Sequence, residues 1–393
     1  MSARKPTAVV VGASVAGVSA VRAFRAAGFD GHLILLGAED LLPYDRPPLS
    51  KEFLAGTAVP ADFALVTESQ LADLQVDWRP GTVATGLRPL RRTVEIGTDE
   101  VVSDYVVIAT GAFARTLPGT SPLVGLHTLR TLADARALRA ELVPDSRLVV
   151  VGAGFIGSEV ASTAAALGVR VCVLEMLPVP LAGPLGKEMG AVCAGLHADH
   201  GVELRVGVGV AGVRGKRRVT EVQLTDGSVL SADTVLVGAG CLPVTDWLVG
   251  SGLDLSGGVR TDAAGLTAVP GVAAVGDVAC AASAWAARPT RVEHWTNAME
   301  QPARAVAALL GAHVAAPPAP YFWSVQYGRR IQFAGHVAAG DVVRVVDGAA
   351  EDRSFLAVYE RAGQPSAVLG MDQGKLFTRW RRQLRPTTAW EAA

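Results

Sequence analysis

An apolar run, Ala8–Val11, stands near the start of the chain, and a glycine-rich turn follows it directly. Residues 16–27 then carry their apolar positions three and four apart, and a second apolar run occupies 33–36. A buried strand, a tight turn, a helix and a second buried strand in this order predict a βαβ unit. The same order returns later, with a strand at Arg147–Val151, a turn at 152–157, a helix at 158–167 and a strand at Val169–Leu174. Two such units about 140 residues apart predict two nucleotide-binding domains, because solenoid repeats are far shorter. Residues 79–112 and 202–240 are strand-rich, with turns expected around Gly215 and at Thr225-Asp226-Gly227. The basic run Arg214 to Arg218 reads as a solvated hairpin tip. Helical spacing returns at about 295–310, Pro317 to Pro320 mark a linker, and 321–393 reads as short strands with a basic tail. An apolar strand is also expected at 272–275.

Composition narrows the function classes. Of 393 residues, 50% are apolar and 19% charged, which suits several packed cores and excludes a disordered chain. With 36 basic and 37 acidic residues the net charge is -1, so no electrostatic footprint for nucleic acid exists. Arg4 and Lys5 before the apolar 8–21 mimic an export signal, but the glycine turn accounts for that stretch better. Residues 305–328 lack Asp, Glu, Lys and Arg, yet Gly311, His313, Pro317, Pro318 and Pro320 interrupt them, so no membrane span is expected. Cys172, Cys193, Cys241 and Cys280 form no C-x-x-C pair and no disulfide framework. They fit a reducing, cytoplasmic setting and provide no ligand set for an iron–sulfur cluster or zinc.

The chemistry lies in the turns. Gly12-Ala13-Ser14-Val15-Ala16-Gly17 is a G-x-G-x-x-G with its middle glycine replaced by Ser14. Gly12 permits the tight turn, Gly17 lets helix pack on strand, and the helix N-terminus offers free N–H groups to a pyrophosphate. The second strand of that unit ends at Leu36-Gly37-Ala38-Glu39, so the ribose-binding acid is expected one step late, at Glu39. The later turn is complete: Gly152, Gly154 and Gly157 all stand in place, and Glu175 lies 23 residues beyond Gly152. A carboxylate there accepts bonds from both ribose hydroxyls and repels a 2′-phosphate. No Arg or Lys occurs between Glu175 and Lys187, which favours NADH over NADPH.

Seven ordered motifs then carry a resemblance over nearly the whole chain. They are YDRPPLSK at Tyr44–Lys51, VVIATGA at 106–112, LRTLADA at 129–135, GAGFIGSEVA at 152–161, VPGVAAVGDVA at 269–279, RVEHWTNAMEQ at 291–301 and YFWSVQYG at 321–328. The sequence resembles the FAD-dependent, NADH-oxidising ferredoxin reductases that serve Rieske-type oxygenases and bacterial cytochromes P450. The resemblance implies an α/β fold with two Rossmann-like domains in a glutathione-reductase-like arrangement, plus a small C-terminal α+β domain. Expected boundaries are 1–113 and 240–316 for a discontinuous FAD domain, 114–239 for an inserted NADH domain, and 317–393 for the last.

The resemblance also implies roles for particular residues. FAD contacts are expected from Gly12, Ser14, Ala16 and Gly17, from Glu39, Arg46 and Lys51, from Ala84, Thr110, Gly111 and Arg130, and from Gly276 and Asp277. Asp277, just past an apolar strand, is placed to accept bonds from the ribityl hydroxyls. Lys51 and Glu159 are the pair expected beside the flavin ring, with Glu159 keeping Lys51 charged and oriented. His294 and Trp295 begin a helix aimed at the ring, and Trp323 is expected to cover it. The implied reaction is hydride transfer from NADH to FAD, then single-electron transfer to a [2Fe–2S] ferredoxin, by a monomer or weak dimer. A rubredoxin as acceptor, or an NADH-sensing flavoprotein resembling apoptosis-inducing factor, are the alternatives. Four positions depart from the pattern: Ser14 and Ala38, Val325 where an Asp is usual, and Pro302, expected to kink its helix or delete one internal bond. Disulfide reductases of the wider fold keep a cysteine pair in the FAD domain, whereas no Cys precedes Cys172 here, so electrons must leave for an external acceptor.

Overall fold

The computed structural model describes residues 4–120 and 122–386; the tail acid Glu391 lies outside the described residues. Strands β1 (Thr7–Val11), β2 (His32–Leu36), β3 (Val76–Arg79) and β4 (Tyr105–Ile108) join Val272–Ala274 in one parallel sheet. Its order is Val272–Ala274, β4, β1, β2, β3. Ala8, Val9 and Val10 are fully buried, which is why this strand reads as an unbroken apolar run rather than an alternation. Helix α1 (Val15–Ala26) covers the sheet through Val18, Val21 and Phe24, and Gly28, in the left-handed region, ends it. Chain order reverses on the two sides of β1, and such a reversal opens a crevice at the carboxyl ends of the strands. The glycine turn lies at that crevice.

The second unit repeats the plan. Strands β5 (Leu126–His127), β6 (Arg147–Val151), β7 (Arg170–Glu175), β8 (Glu203–Val206) and β9 (Thr234–Val237) form a parallel sheet in the order β8, β7, β6, β9, β5. Helix α2 (Phe155–Ala166) follows β6, beginning three residues before the expected 158. Helix α3 (Ala182–Asp199) holds a break at Gly186. The expected hairpin tip at Arg214–Arg218 joins Val210–Arg214 to Glu221–Leu224. It is not wholly solvated, because Arg218 pairs with Glu141 at 2.7 Å. Helix α4 (Trp295–Leu309) runs through the buried Pro302 as one helix. The departure there costs only the bond a proline cannot donate.

The remainder is an antiparallel sheet of β10 (Tyr321–Gln326), β11 (Arg329–Gly335), β12 (Val342–Ala349), β13 (Ser354–Arg361) and β14 (Gln364–Met371), in the order β10, β11, β14, β13, β12. One face packs Phe333, Phe355 and Tyr359 against Leu185, Met189 and Leu196 of α3. The other packs Leu356 and Val368 against Phe377 of helix α5 (Gly374–Arg381). Part of the basic tail is therefore helical, which supplies the helix of the expected α+β domain. No helix of the described residues is long and apolar enough to cross a membrane.

His197 of α3 locks this last sheet to the second unit. Its Nδ1 lies 2.7 Å from the Tyr327 hydroxyl and its Nε2 3.3 Å from Ser158 Oγ. Burial pushes its pKa down to about 4. An unfolded histidine titrates near 6.5, so its neutral form stabilises the fold above that pH, and the contribution is lost as pH falls from about 6.5 to about 4. That contribution is at most about 3 kcal/mol. Urea midpoints of the wild type should fall steeply across this window, and His197→Gln should flatten the fall; equal slopes would contradict the assignment.

Candidate active site

The site grows from the first glycine turn. Gly12 has φ +109°, and a Cβ there would stand 2.3 Å from the Ala109 carbonyl oxygen, so only glycine lets β1 end against β4. No side chain caps the N-terminus of α1 at Ser14. Its first amides, including those of Ala16 and Gly17, are thus available to an anion. Arg46 Nε approaches Ser14 Oγ at 3.5 Å, which brings a cation to the same turn. Glu39 faces this loop: its carboxylate accepts from Tyr44 Oη at 2.6 Å and from Arg46 at 3.2 Å. Ala84 is buried against the sheet among Val9, Val11 and Leu36.

Asp277 meets the same turn from another segment. A Cβ on Gly276 would lie 2.9 Å from that of Ala16, and the Gly276 amide donates to Gln301 Oε1 at 2.8 Å. Arg130 spans the floor, donating to Asp277 at 2.6 Å and to the Ala112 carbonyl at 2.9 Å. Arg46 donates in turn to the Arg130 carbonyl. Thr110 and Gly111 fasten the crossover to residue 244, through Oγ1 to the Val244 carbonyl at 2.9 Å and the Val244 amide to the Gly111 carbonyl at 3.0 Å.

Lys51 and Glu159 come together between the two units. Lys51 Nζ donates to Glu159 Oε2 at 2.7 Å and to Ser50 Oγ at 3.2 Å. Glu159 is buried, with a side chain 5% exposed, and accepts further bonds from Ser50 Oγ at 2.5 Å and Ser324 Oγ at 2.7 Å. Three donors thus meet this buried carboxylate.

An aromatic wall stands beside the pair. Trp295 and Trp323 meet edge to face at 5.4 Å, and Tyr321 stacks on Trp323 at 6.2 Å. Trp295 Nε1 donates to Asp45 Oδ1 at 2.7 Å, tying α4 to the loop that bears Lys51. Burial raises the Asp45 carboxyl above its ordinary range. His294 precedes α4 without capping it, and burial pushes its pKa down to about 4, so it is neutral at pH 7. Its Nδ1 has no partner among the described residues.

In the second unit Gly152 has φ +104°, and a Cβ there would stand 2.5 Å from the Gly238 carbonyl oxygen. Gly154 begins α2 with no side-chain cap, and Gly157 packs close to the Gly152 carbonyl. Glu175 ends β7 and accepts from the amides of Ala153 at 3.0 Å and Leu177 at 2.9 Å. Glu39, Arg46, Arg130 and Asp277 gather at the first turn, Lys51 meets Glu159 between the units, and Glu175 lies at the second turn, whereas Ala84 sits in the core of the first sheet. Asp45, Ser50, Gln301 and Ser324 join them without having been assigned a role. All four lie inside quoted motifs, but a polar residue in a motif does not announce its partner.

Residues 6–302 match the pyridine nucleotide-disulphide oxidoreductase family, and 321–393 match the reductase C-terminal domain. The chain belongs to the pyridine nucleotide-disulphide oxidoreductases. It is 38% identical over 390 residues to the ferredoxin reductase component of chlorobenzene dioxygenase from Cupriavidus sp. (strain PS12), covering 98% of this chain and 93% of that one. Putidaredoxin reductase from Pseudomonas putida is 33% identical, with 92% and 87% covered. The solved covalent putidaredoxin reductase–putidaredoxin complex superposes with a TM-score of 0.93 at 32% identity, covering 96% and 93%. The glutathione-reductase-like fold and the ferredoxin-reductase resemblance read from the motifs are borne out. The family implies FAD and NAD(H). The uncapped helix starts at Ser14 and Gly154, and the cations at the first turn, fit two dinucleotides.

No thiol of this chain takes the place of the family's disulphide. Cys241, whose strand Cys241–Pro243 pairs with Ala112–Ala114, is a lone cysteine whose thiol burial and Glu293 push up to about 12. Its thiolate is therefore scarce at neutral pH. Alkylation of Cys241 by iodoacetamide at about pH 8 should run at least tenfold slower than that of an unperturbed thiol, whose pKa is about 8.5. Equal rates, measured by mass spectrometry of the peptide, would reveal a reactive sulfur in the site.

Proposed function

We propose that this chain is an NADH-dependent ferredoxin reductase that passes electrons to a [2Fe–2S] ferredoxin of a P450 or Rieske-type oxygenase system. The carrying observation is the Lys51–Glu159 pair, set between the two nucleotide turns and beside Trp323, in a first unit without cysteine. The kinship with ferredoxin reductase components supports the same reading. FAD is held by residues 1–113 and 240–316, NADH by 114–239, and 317–393 completes the site. One NADH gives up two electrons, and two one-electron carriers take them. FAD, when bound, supplies the exchange between two-electron and one-electron chemistry.

The protein residues supply binding, orientation and field. The α1 amides and Arg46 hold the FAD pyrophosphate, and Asp277, oriented by Arg130, takes the ribityl hydroxyls. Glu175 takes the NADH ribose and, with no cation following it before Lys187, disfavours a 2′-phosphate. Two N–H groups of Lys51 are committed to Glu159 and Ser50, which leaves the third to face negative charge arriving in the site. The α4 N-terminus adds its partial positive charge, and neutral His294 moves no proton. Trp295 and Trp323 exclude water.

Lys51→Met should slow NADH-driven flavin bleaching in stopped flow on the order of a hundredfold while NADH affinity changes little, because the charge acts mainly as the electrons arrive. An unchanged bleaching rate would remove Lys51 from the reaction. The partner surface makes a separate expectation. Lys375, Arg379 and Arg382 are exposed on and after α5, and their side chains form no ion pair among the described residues. Arg381 differs, since its guanidinium lies over the Tyr321 ring at 4.3 Å. Arg379 and Arg382 changed together to Ala should raise the KM for an acidic ferredoxin and flatten its salt dependence, with ferricyanide turnover unchanged. If both acceptors fall equally, this surface is structural.

A further inference from the structure

Helix α2 and strand β10 pack against each other through three successive contacts. Phe155 packs on Phe322 with ring centres 4.5 Å apart. One helical turn on, Glu159 Oε1 accepts from Ser324 Oγ at 2.7 Å. The next turn brings Ser162 Oγ to the Tyr327 amide at 2.7 Å. Four residues of helix rise about 6 Å and two of strand about 6.6 Å, so the first two contacts keep step, while the third falls where β10 has ended at Gln326 and the chain turns. Phe322, Ser324 and Gln326 share the strand face turned to the helix, and all three are buried.

Ser324 is the member of this face that reaches Glu159, and its hydroxyl has a fixed direction. Gln326 Nε2 donates to Ser324 Oγ at 3.1 Å, which occupies a lone pair and turns the Ser324 hydrogen toward Glu159. Ser324 is 0% and Gln326 1% exposed. We propose that Ser324, aligned by Gln326, is a positioning residue for the Lys51–Glu159 pair, holding Glu159 ionised so that Lys51 stays charged and aimed into the site. This rests on the role assigned to Lys51 under the proposed function. The titratable groups facing the pair are few. Asp45 acts on Lys51 from the same loop, and His197 of α3 meets the neighbouring Ser158 rather than Glu159. Ser50, Ser324 and Gln326 carry no charge.

Removing a donor to the charged form makes a carboxylate easier to protonate. In flavin-loaded protein, Ser324→Ala should move the acid limb of flavin bleaching by NADH upward by about one pH unit, with NADH affinity within about twofold. Ser324→Thr should restore the wild-type limb. A second readout needs no turnover. The urea midpoint shifts of Ser324→Ala and Lys51→Met should fail to add in the double variant, although the two residues do not touch, because Glu159 couples them. An unmoved acid limb, a Thr variant as impaired as Ala, or additive midpoints would each overturn the proposal. If Ser324→Ala yields no folded protein, Gln326→Met tests the same chain and should move the limb in the same direction; an unmoved limb there overturns it. Failure of Lys51→Met to slow bleaching would sink the underlying role instead.

Discussion

A carboxylate removed from water must find its full set of donors or give up its charge. Glu159 meets that demand with groups from two other segments: the loop carrying Ser50 and Lys51, and the strand carrying Ser324. Each is fixed by its own packing. Thr163 Oγ1 of α2 donates to the Ser50 carbonyl at 2.8 Å, and Trp295 holds the loop through Asp45. The two nucleotide-binding units and the C-terminal sheet therefore meet at this one carboxylate.

The rest of the site follows a related electrostatic plan. Helices α1, α2 and α4 all begin without a side-chain cap, so each leaves amides free. Around the first of them, Arg46 and Arg130 are balanced by Glu39 and Asp277. Opposite charges at contact distance keep all four groups in place, which orients the cradle without a large net charge.

Much of this was legible in the sequence. The runs Ala8–Val11 and Arg147–Val151 read as buried strands because a strand covered on both faces needs no polar alternation. Both glycine turns announced their helices. Helix α3 did not, because Gly183, Pro184, Gly186 and Gly190 disguise it. Burial of Leu185, Met189 and Leu196 against the last sheet overrides their poor propensity. The meeting of Lys51 with Glu159 was reached through motif resemblance, since spacing alone cannot join residues 108 apart. Ser324 and Gln301 escaped notice because neither residue type at its spacing signals a partner. The tail looked like uniform positive charge, whereas Arg381 is spent on Tyr321, a contact that only the packing of α5 reveals.

The sequence distance between the donors of Glu159 has a consequence for how the chain is made. Ser324 lies 165 residues beyond Glu159. At ribosomal rates of roughly 5–20 residues per second, helix α2 exists for on the order of ten seconds before that donor has been synthesised. Through this interval Glu159 has only the donors Ser50 and Lys51, and Phe155 lacks its partner Phe322. The second unit, whose sheet is complete at Val237, can fold early, whereas the first waits for Val272–Ala274 and α4, and the Glu159 donor set is completed only by the last sheet.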